Sequence, residues 1–277
     1  MMNILVPTDF SIFAQHGFEL GLQLAKRYNA TLHLFHCAEL PDGWADLDAE
    51  SRARDNINKY IAIEARNKLN ELKKYASTQD VSCHFHYSGG KFLKSLKDYL
   101  NENSIDLIIM GSHGASGKEE WFIGSNSQKV IRKIPLNTLI VKDSIQNFQP
   151  SKVVFVTGLD ETDKDAFRQF LEFVRPFKVD EVHVLAIDTA SWFSQPSIVM
   201  LEGLKDFKEI AKDYNCSAHF YKDYSIQAGI RHFVEERSID FIGVSYLHKN
   251  PIKRLFLGSN VEMLVNHTDL PVLCINK

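Results

Sequence analysis

No run of apolar residues in the 277-residue chain approaches the roughly 20 that a membrane-crossing helix needs. The opening residues, Met1 to Ser11, lack a basic segment followed by an apolar stretch and a cleavage site. We therefore expect a soluble protein that stays in the cytoplasm. Cysteine is scarce: Cys37, Cys83, Cys216 and Cys274 stand far apart with no CxxC pair, which fits reduced thiols better than a disulfide framework. Neither sign of charge is in large excess, with 32 Lys and Arg against 35 Asp and Glu. A nucleic-acid partner would ask for a strongly basic face, so DNA and RNA are set aside. The Gly-Lys-Ser/Thr phosphate loop is missing too, which excludes an NTPase of that class.

What is present is an ordinary globular composition, 44% hydrophobic and 24% charged, in a chain long enough for two domains. The chain also repeats itself. Ser104-Ile105-Asp106 recurs as Ser238-Ile239-Asp240, and Phe122-Ile-Gly-Ser-Asn126 recurs as Phe256-Leu-Gly-Ser-Asn260, both 134 residues on. Ile4-Leu-Val-Pro-Thr8 is matched by Val153-Val-Phe-Val-Thr157 at 149 residues. The first copy thus holds about 15 extra residues, which we place in the polar helical stretch Glu39 to Tyr75. Short aliphatic runs (Ile4 to Val6, Thr31 to His36, Ser82 to Tyr87, Leu107 to Met110, Thr138 to Val141) alternate with helix-period segments such as Ile12 to Tyr28, Phe92 to Asn101 and Ser125 to Lys133. This alternation predicts parallel α/β sheets covered on both faces. The histidines of Thr31 to His36 suggest a less completely covered strand. Asp143 to Ser151, polar and containing Pro150, links the copies, giving domains over 1–143 and 151–277.

Chemistry points to the ends of the first and fourth strands. Gly111-Ser-His-Gly114 follows the fourth strand, and nine residues later Gly124-Ser125 opens a helix. Glycines let backbone N–H groups approach an anion, and a helix N-terminus favours phosphate. The same residues also read as plain turns with Ser125 capping its helix. Asp9 follows the first strand, where open α/β sheets bind ligands; it serves equally well as a cap for the helix beginning near Ser11.

Together these residues resemble the universal stress protein family in its tandem form. The resemblance rests on Ile4-Leu-Val-Pro-Thr-Asp-Phe-Ser11, His36-Cys37, Gly90, Asp106-Leu-Ile-Ile-Met-Gly-Ser-His-Gly114, Gly124-Ser125 and Asn137-Thr-Leu-Ile-Val-Lys142. It implies two Rossmann-like domains of five parallel strands in the order 3-2-1-4-5, and we expect them to pack as a pseudo-dimer through Thr138 to Val141 and Val272 to Ile275. It implies ATP binding in the first copy. Pro7, Thr8, Asp9 and the Cys37 backbone would hold adenine and ribose, with Met110 and Gly111 lining the nucleotide. Gly114, Gly124, Ser125 and Asn126 would contact phosphates bridged by Mg²⁺ or Mn²⁺, and His113 is counted among the binding positions. Cys37 departs from the aliphatic residue common there.

The second copy departs further. Ser245, His248 and Tyr224 stand for Gly111, Gly114 and Gly90, and Gly158 stands for Asp9; only Gly258-Ser259 is kept. It reads as a degenerate copy, unless Asp160 replaces the carboxylate by a shift in register. His84 and His86 alternate on one strand and could share zinc, but read better as edge-strand histidines. Ser112-His113 makes a poor nucleophile and base, being adjacent with no orienting group. Asp48 to Lys74 reads as one amphipathic helix with a solvated face, and Trp44 and Trp121 as packing groups more than lid residues. The expected function is ATP binding coupled to a stress response through self-association or a partner, with slow or no hydrolysis. The alternative is a nucleotide-independent scaffold or small-ligand module, and a third reading is a true ATPase or phosphotransferase.

Overall fold

The computed structural model describes residues 1–38, 48, 50–51, 56–112, 124–189, 197–246 and 268–276. His113, Gly114, Trp44, Trp121, His248 and Gly258-Ser259 lie outside them. The N-terminal half runs β1 (Asn3–Pro7), α1 (Ile12–Tyr28), β2 (Thr31–Ala38), α2 (Asn56–Thr78), β3 (Cys83–Gly89), α3 (Phe92–Glu102), β4 (Leu107–Gly111), α4 (Ser125–Lys133) and β5 (Thr138–Val141). The C-terminal half runs β6 (Lys152–Val156), α5 (Glu161–Val174), β7 (Glu181–Asp188), α6 (Ser197–Ile210), β8 (Cys216–Lys222), α7 (Ile226–Arg237), β9 (Phe241–Tyr246) and β10 (Val272–Asn276).

All ten strands form one sheet, in the order β3-β2-β1-β4-β5-β10-β9-β6-β7-β8. Each half therefore has the expected 3-2-1-4-5 order. Pairing is parallel within each half, and the halves join where β5 and β10 run antiparallel, with Leu139 opposite Leu273. Antiparallel joining puts the end of β5 and the start of β6 at the same edge of the sheet, so a short linker suffices. That linker is fastened to α1: Gln23 donates to the Ile145 carbonyl and accepts from the Phe148 amide, and Phe148 is buried.

Strand residues alternate between two cores, one on each face, and each core continues across both halves. Ile4 and Val6 join the layer under α1, α2, α5 and α6, while Leu5 joins the layer under α3, α4 and α7. Burial on both faces is what the unbroken apolar runs require. β2 differs from expectation: its histidines do not uncover it, because His33 is buried with Nδ1 2.8 Å from the Tyr99 hydroxyl. β3 is an edge strand, as the histidine pattern suggests, and His86 stacks 5.7 Å from Phe35. In α2, Leu69 is fully buried, but Ile61 and Ile63 face solvent at 40% and 50% exposure, so the apolar stripe is covered only toward its C-terminal end.

The halves solve the same packing problem with exchanged partners. On α1, Gly21 faces Ile109 of β4; at the matching positions, Phe170 of α5 lies against Gly243 of β9. The large side chain comes from the strand in one half and from the helix in the other. Phe170 then joins an aromatic cluster, with ring centroids 5.6 Å from Phe155 and 5.7 Å from Phe241. A Cβ at Gly243 would stand 2.3 Å from the Phe170 ring, which is fully buried. We predict that Gly243→Ala costs about 1–3 kcal/mol, read as a lower urea-unfolding midpoint, and that Phe170→Leu restores part of it. An unchanged midpoint would refute this account of the packing.

Candidate functional site

The strand order reverses between β1 and β4, the place where open α/β sheets leave a crevice beyond their strand ends. Here the chain leaves β1 through a tight turn. The Thr8 amide donates to the Phe35 carbonyl at 2.8 Å, extending the ladder by one bond. The Thr8 hydroxyl oxygen accepts from the Phe10 amide at 3.0 Å, and Phe10 takes a left-handed φ of 64°. Ser11 then caps α1 by accepting from Ala14 at 3.2 Å. Asp9 is exposed; its Oδ1 accepts from the Ser11 amide at 3.0 Å. Asp9 therefore supports the turn but is not the helix cap, and Oδ2 has no hydrogen-bond partner among the described residues.

β2 contributes the neighbouring wall. His36 Nδ1 donates to the Thr8 carbonyl at 2.7 Å, and its ring lies against Phe10 with centroids 4.6 Å apart. Burial pulls the His36 pKa below its ordinary value, outweighing the upward effects of the Thr8 bond and the Asp9 charge. Cys37 is half-buried with Sγ 3.4 Å from the Gly90 carbonyl, and Gly90 has φ 120°, a conformation that only glycine adopts freely.

β4 brings Met110 and Gly111 to the same edge. Gly111 is needed there for a reason the spacing did not suggest: a Cβ would fall 1.6 Å from the Phe13 carbonyl oxygen. Its missing side chain admits the α1 backbone, and Gly17 of α1 is the reciprocal case: a Cβ there would stand 2.8 Å from the Gly111 nitrogen. Ser112, which sequence reasoning considered only as a nucleophile, is 1% exposed and accepts from the Gly124 amide at 3.3 Å. It ties the end of β4 to the start of α4. Gly124 is the N-cap residue of α4 and Ser125 its first helical residue, so Ser125 is not the cap. Among the described residues no side chain caps α4, which leaves its first-turn amides available to an anion. Asn126 lies in that turn, with Oδ1 3.3 Å from Lys129 Nζ. Pro7, Thr8, Asp9, Cys37, Met110 and Gly111 thus share the carboxyl edge of β1, β2 and β4, and Ser112 holds Gly124, Ser125 and Asn126 to that edge.

A groove of about 590 Å³ opens beside Thr8 between α1 and α2, lined in part by Phe10, Phe18, Lys68, Leu72 and Tyr75. Sequence reasoning gave no sign of it, because the two helices meet only in the fold. Among the described residues, no group of three or more His, Cys, Asp and Glu side chains could hold a metal ion.

In the C-terminal half the same turn recurs. Thr157 N donates to Leu185 O at 3.0 Å, Leu159 N donates to Thr157 Oγ1 at 2.9 Å, and Leu159 has φ 62°. This equates Gly158 with Asp9 and Asp160 with Ser11, and Asp160 is the N-cap of α5 in a capping box with Asp163. There is no shift in register, and Asp160 does not replace the missing carboxylate.

Two predictions follow from these contacts. Gly111→Ala should cost at least about 3 kcal/mol in the ligand-free protein, since the backbone it meets cannot step aside; a urea midpoint close to wild type would contradict it. Burial also lowers the pKa values of His33, His86 and His183, and holds His219 at about 4. The unfolded chain takes up these protons first, so stability is full above the ordinary imidazole value near 6.5 and falls as pH drops from there toward 4. NMR titration should give a His219 midpoint near 4, and Asp9→Asn should lower the His36 midpoint further. A His219 midpoint at or above 6.5 would contradict the burial argument.

Residues 1–142 match the model of the universal stress protein family. A universal stress protein of Methanocaldococcus jannaschii is 25% identical over 140 residues, 50% of this chain and 81% of that one. A putative universal stress protein of Staphylococcus aureus is 27% identical over 150 residues, 53% of this chain and 89% of that one. Among solved structures, a universal stress protein from Archaeoglobus fulgidus shares the fold with a TM-score of 0.77 at 17% identity, covering 99% of this chain and 98% of that one. A putative universal stress protein from Pseudomonas aeruginosa gives 0.67 at 14%, covering 99% and 93%. With residues 1–142, half of its length, matched by the family model, the chain belongs to the universal stress protein family.

Proposed function

We propose that residues 1–143 form a nucleotide-binding domain that takes ATP, and that residues 151–277 are a degenerate copy. The observation that carries this reading is the unfilled hydrogen-bonding set at the β1/β4 crevice. The Thr8 hydroxyl proton, the Asp9 amide and Asp9 Oδ2 have no partner among the described residues, and α4 begins nearby without a capping side chain. Asp9 Oδ2 is suited to accept from ribose hydroxyls. Thr8 and the backbone of Cys37 border the adenine, Met110 and Gly111 form the crevice floor, and the first turn of α4 at Ser125 and Asn126 faces the phosphates. Mg²⁺ or Mn²⁺ enters with the phosphates. His113 and Gly114 belong to this proposal by sequence position. The protein acts in the cytoplasm, where nucleotide occupancy is coupled to a stress response through self-association or a protein partner.

Binding, not turnover, is the proposed role, since Ser112 is buried and its hydroxyl is engaged with Gly124. A second reading has its own observation: the groove between α1 and α2 has the volume and aromatic lining of a small-molecule site.

Calorimetric titration of ATP with Mg²⁺ into nucleotide-free protein tests the first reading. One site per chain is expected. Asp9→Ala should weaken it about ten- to a hundredfold, the value of one or two hydrogen bonds to a charged group. Gly124→Asp should abolish it while preserving the fold, because Asp is a favoured N-cap residue and φ at Gly124 is −50°. Absence of heat, together with failure of ATP to displace a fluorescent nucleotide, would refute ATP binding. Binding of an apolar fluorophore that is lost in Leu72→Lys but not competed by ATP would favour the groove.

A further inference from the structure

The two halves differ at one buried carboxylate. On the 149-residue correspondence, Asp163 of α5 stands where α1 has Ala14, and on the 134-residue correspondence Ser245 of β9 stands where β4 has Gly111. Asp163 is 1% exposed. Its Oδ2 accepts from the Thr157 hydroxyl at 2.8 Å, the Gly158 amide at 2.9 Å and the Asp160 amide at 3.3 Å. Its Oδ1 accepts from the Ser245 hydroxyl. One carboxylate thus gathers four donors from the ends of β6 and β9 and the turn between β6 and α5.

The matching donors of the N-terminal half are the Thr8 hydroxyl and the amides of Asp9 and Ser11. Ser11 N is taken by Asp9 Oδ1. The Thr8 hydroxyl proton and the Asp9 amide meet no acceptor among the described residues, and Ala14 has none to offer. One half therefore leaves open what the other fills from within.

We propose that the Asp163 carboxylate is a built-in ligand: it fills the acceptor position at the C-terminal crevice and thereby closes that crevice to carboxylates, phosphates and nucleotides. Closure follows from two effects. The donors an incoming anion would need are already used, and breaking them leaves buried polar groups unpaired. A second anion beside a buried carboxylate also meets direct repulsion in a medium of low polarity. The nucleotide part of this inference rests on the proposed reading of the N-terminal half; the occupancy by Asp163 does not.

Asp163→Ala, alone and with Ser245→Gly, restores the residues of the N-terminal half and tests the proposal in the full chain. Formate, the smallest carboxylate, should refill the vacated position. The thermal midpoint of Asp163→Ala should then rise by about 2–4 °C more in sodium formate than in sodium chloride of equal ionic strength, with no such difference in wild type. No formate-specific gain would overturn the proposal. Should the alanine variants fail to fold, Asp163→Asn keeps the shape: hydrogen exchange at the Gly158 and Asp160 amides should be at least about tenfold faster than in wild type, and unchanged protection would overturn the proposal. In wild type, ATP with Mg²⁺ should leave exchange at those two amides unaltered. Protection by ATP there would refute the closure, whereas absence of an ATP effect at Asp9 and Ser125 would count only against nucleotide binding by the N-terminal half.

Discussion

The antiparallel pairing of β5 with β10 is the contact on which the rest of the molecule depends. Each five-stranded sheet would otherwise end in an edge strand with open hydrogen-bonding groups. Pairing Leu139 with Leu273 closes both edges at once and lets the two face cores run without interruption from one half to the other. Because the pairing reverses direction, the carboxyl ends of β1 and β4 open at one edge of the sheet and those of β6 and β9 at the opposite edge. The halves therefore cannot share one crevice, and each had to settle its own.

They settled it in different ways on one backbone. Thr8 and Thr157 build the same turn, down to the left-handed residue two positions later. Around that constant frame, bulk is exchanged between helix and strand at Gly21 and Ile109 against Phe170 and Gly243, so in each half one large side chain faces a glycine. Charge is redistributed in the same manner. The N-terminal half carries its carboxylate on the exposed turn, at Asp9; the C-terminal half carries it on the helix, buried at Asp163. An exposed carboxylate with a free oxygen can receive a ligand, and a buried one that already holds four donors cannot.

Much of this was legible because it is local. Helix α1 was read from its apolar period over the same residues the structure shows, Ile12 to Tyr28. The strands followed from short aliphatic runs, and the repeat offsets identified equivalent positions in the halves correctly, including Gly158 with Asp9. Gly111 and Gly124, picked out by their spacing, lie together at the carboxyl end of β4. Gly111 also has a packing reason that the spacing did not suggest, since a Cβ there would meet the Phe13 carbonyl of α1. Ser112 was weighed only as a nucleophile and Asp163 not at all, because the contacts that give them their roles, with Gly124 and Ser245, form only in the fold.

By itself, then, the sequence determined the alternation of strands and helices and the duplication, because hydrophobic period and turn residues act over a few positions. Only the tertiary structure decided which donors remain open and which are filled, how closely α1 approaches β4, and that the crevices face opposite ways. Those outcomes depend on distances between segments far apart in the chain, where a single carboxylate or a missing Cβ takes effect only after the sheet has brought its partners within about 3 Å.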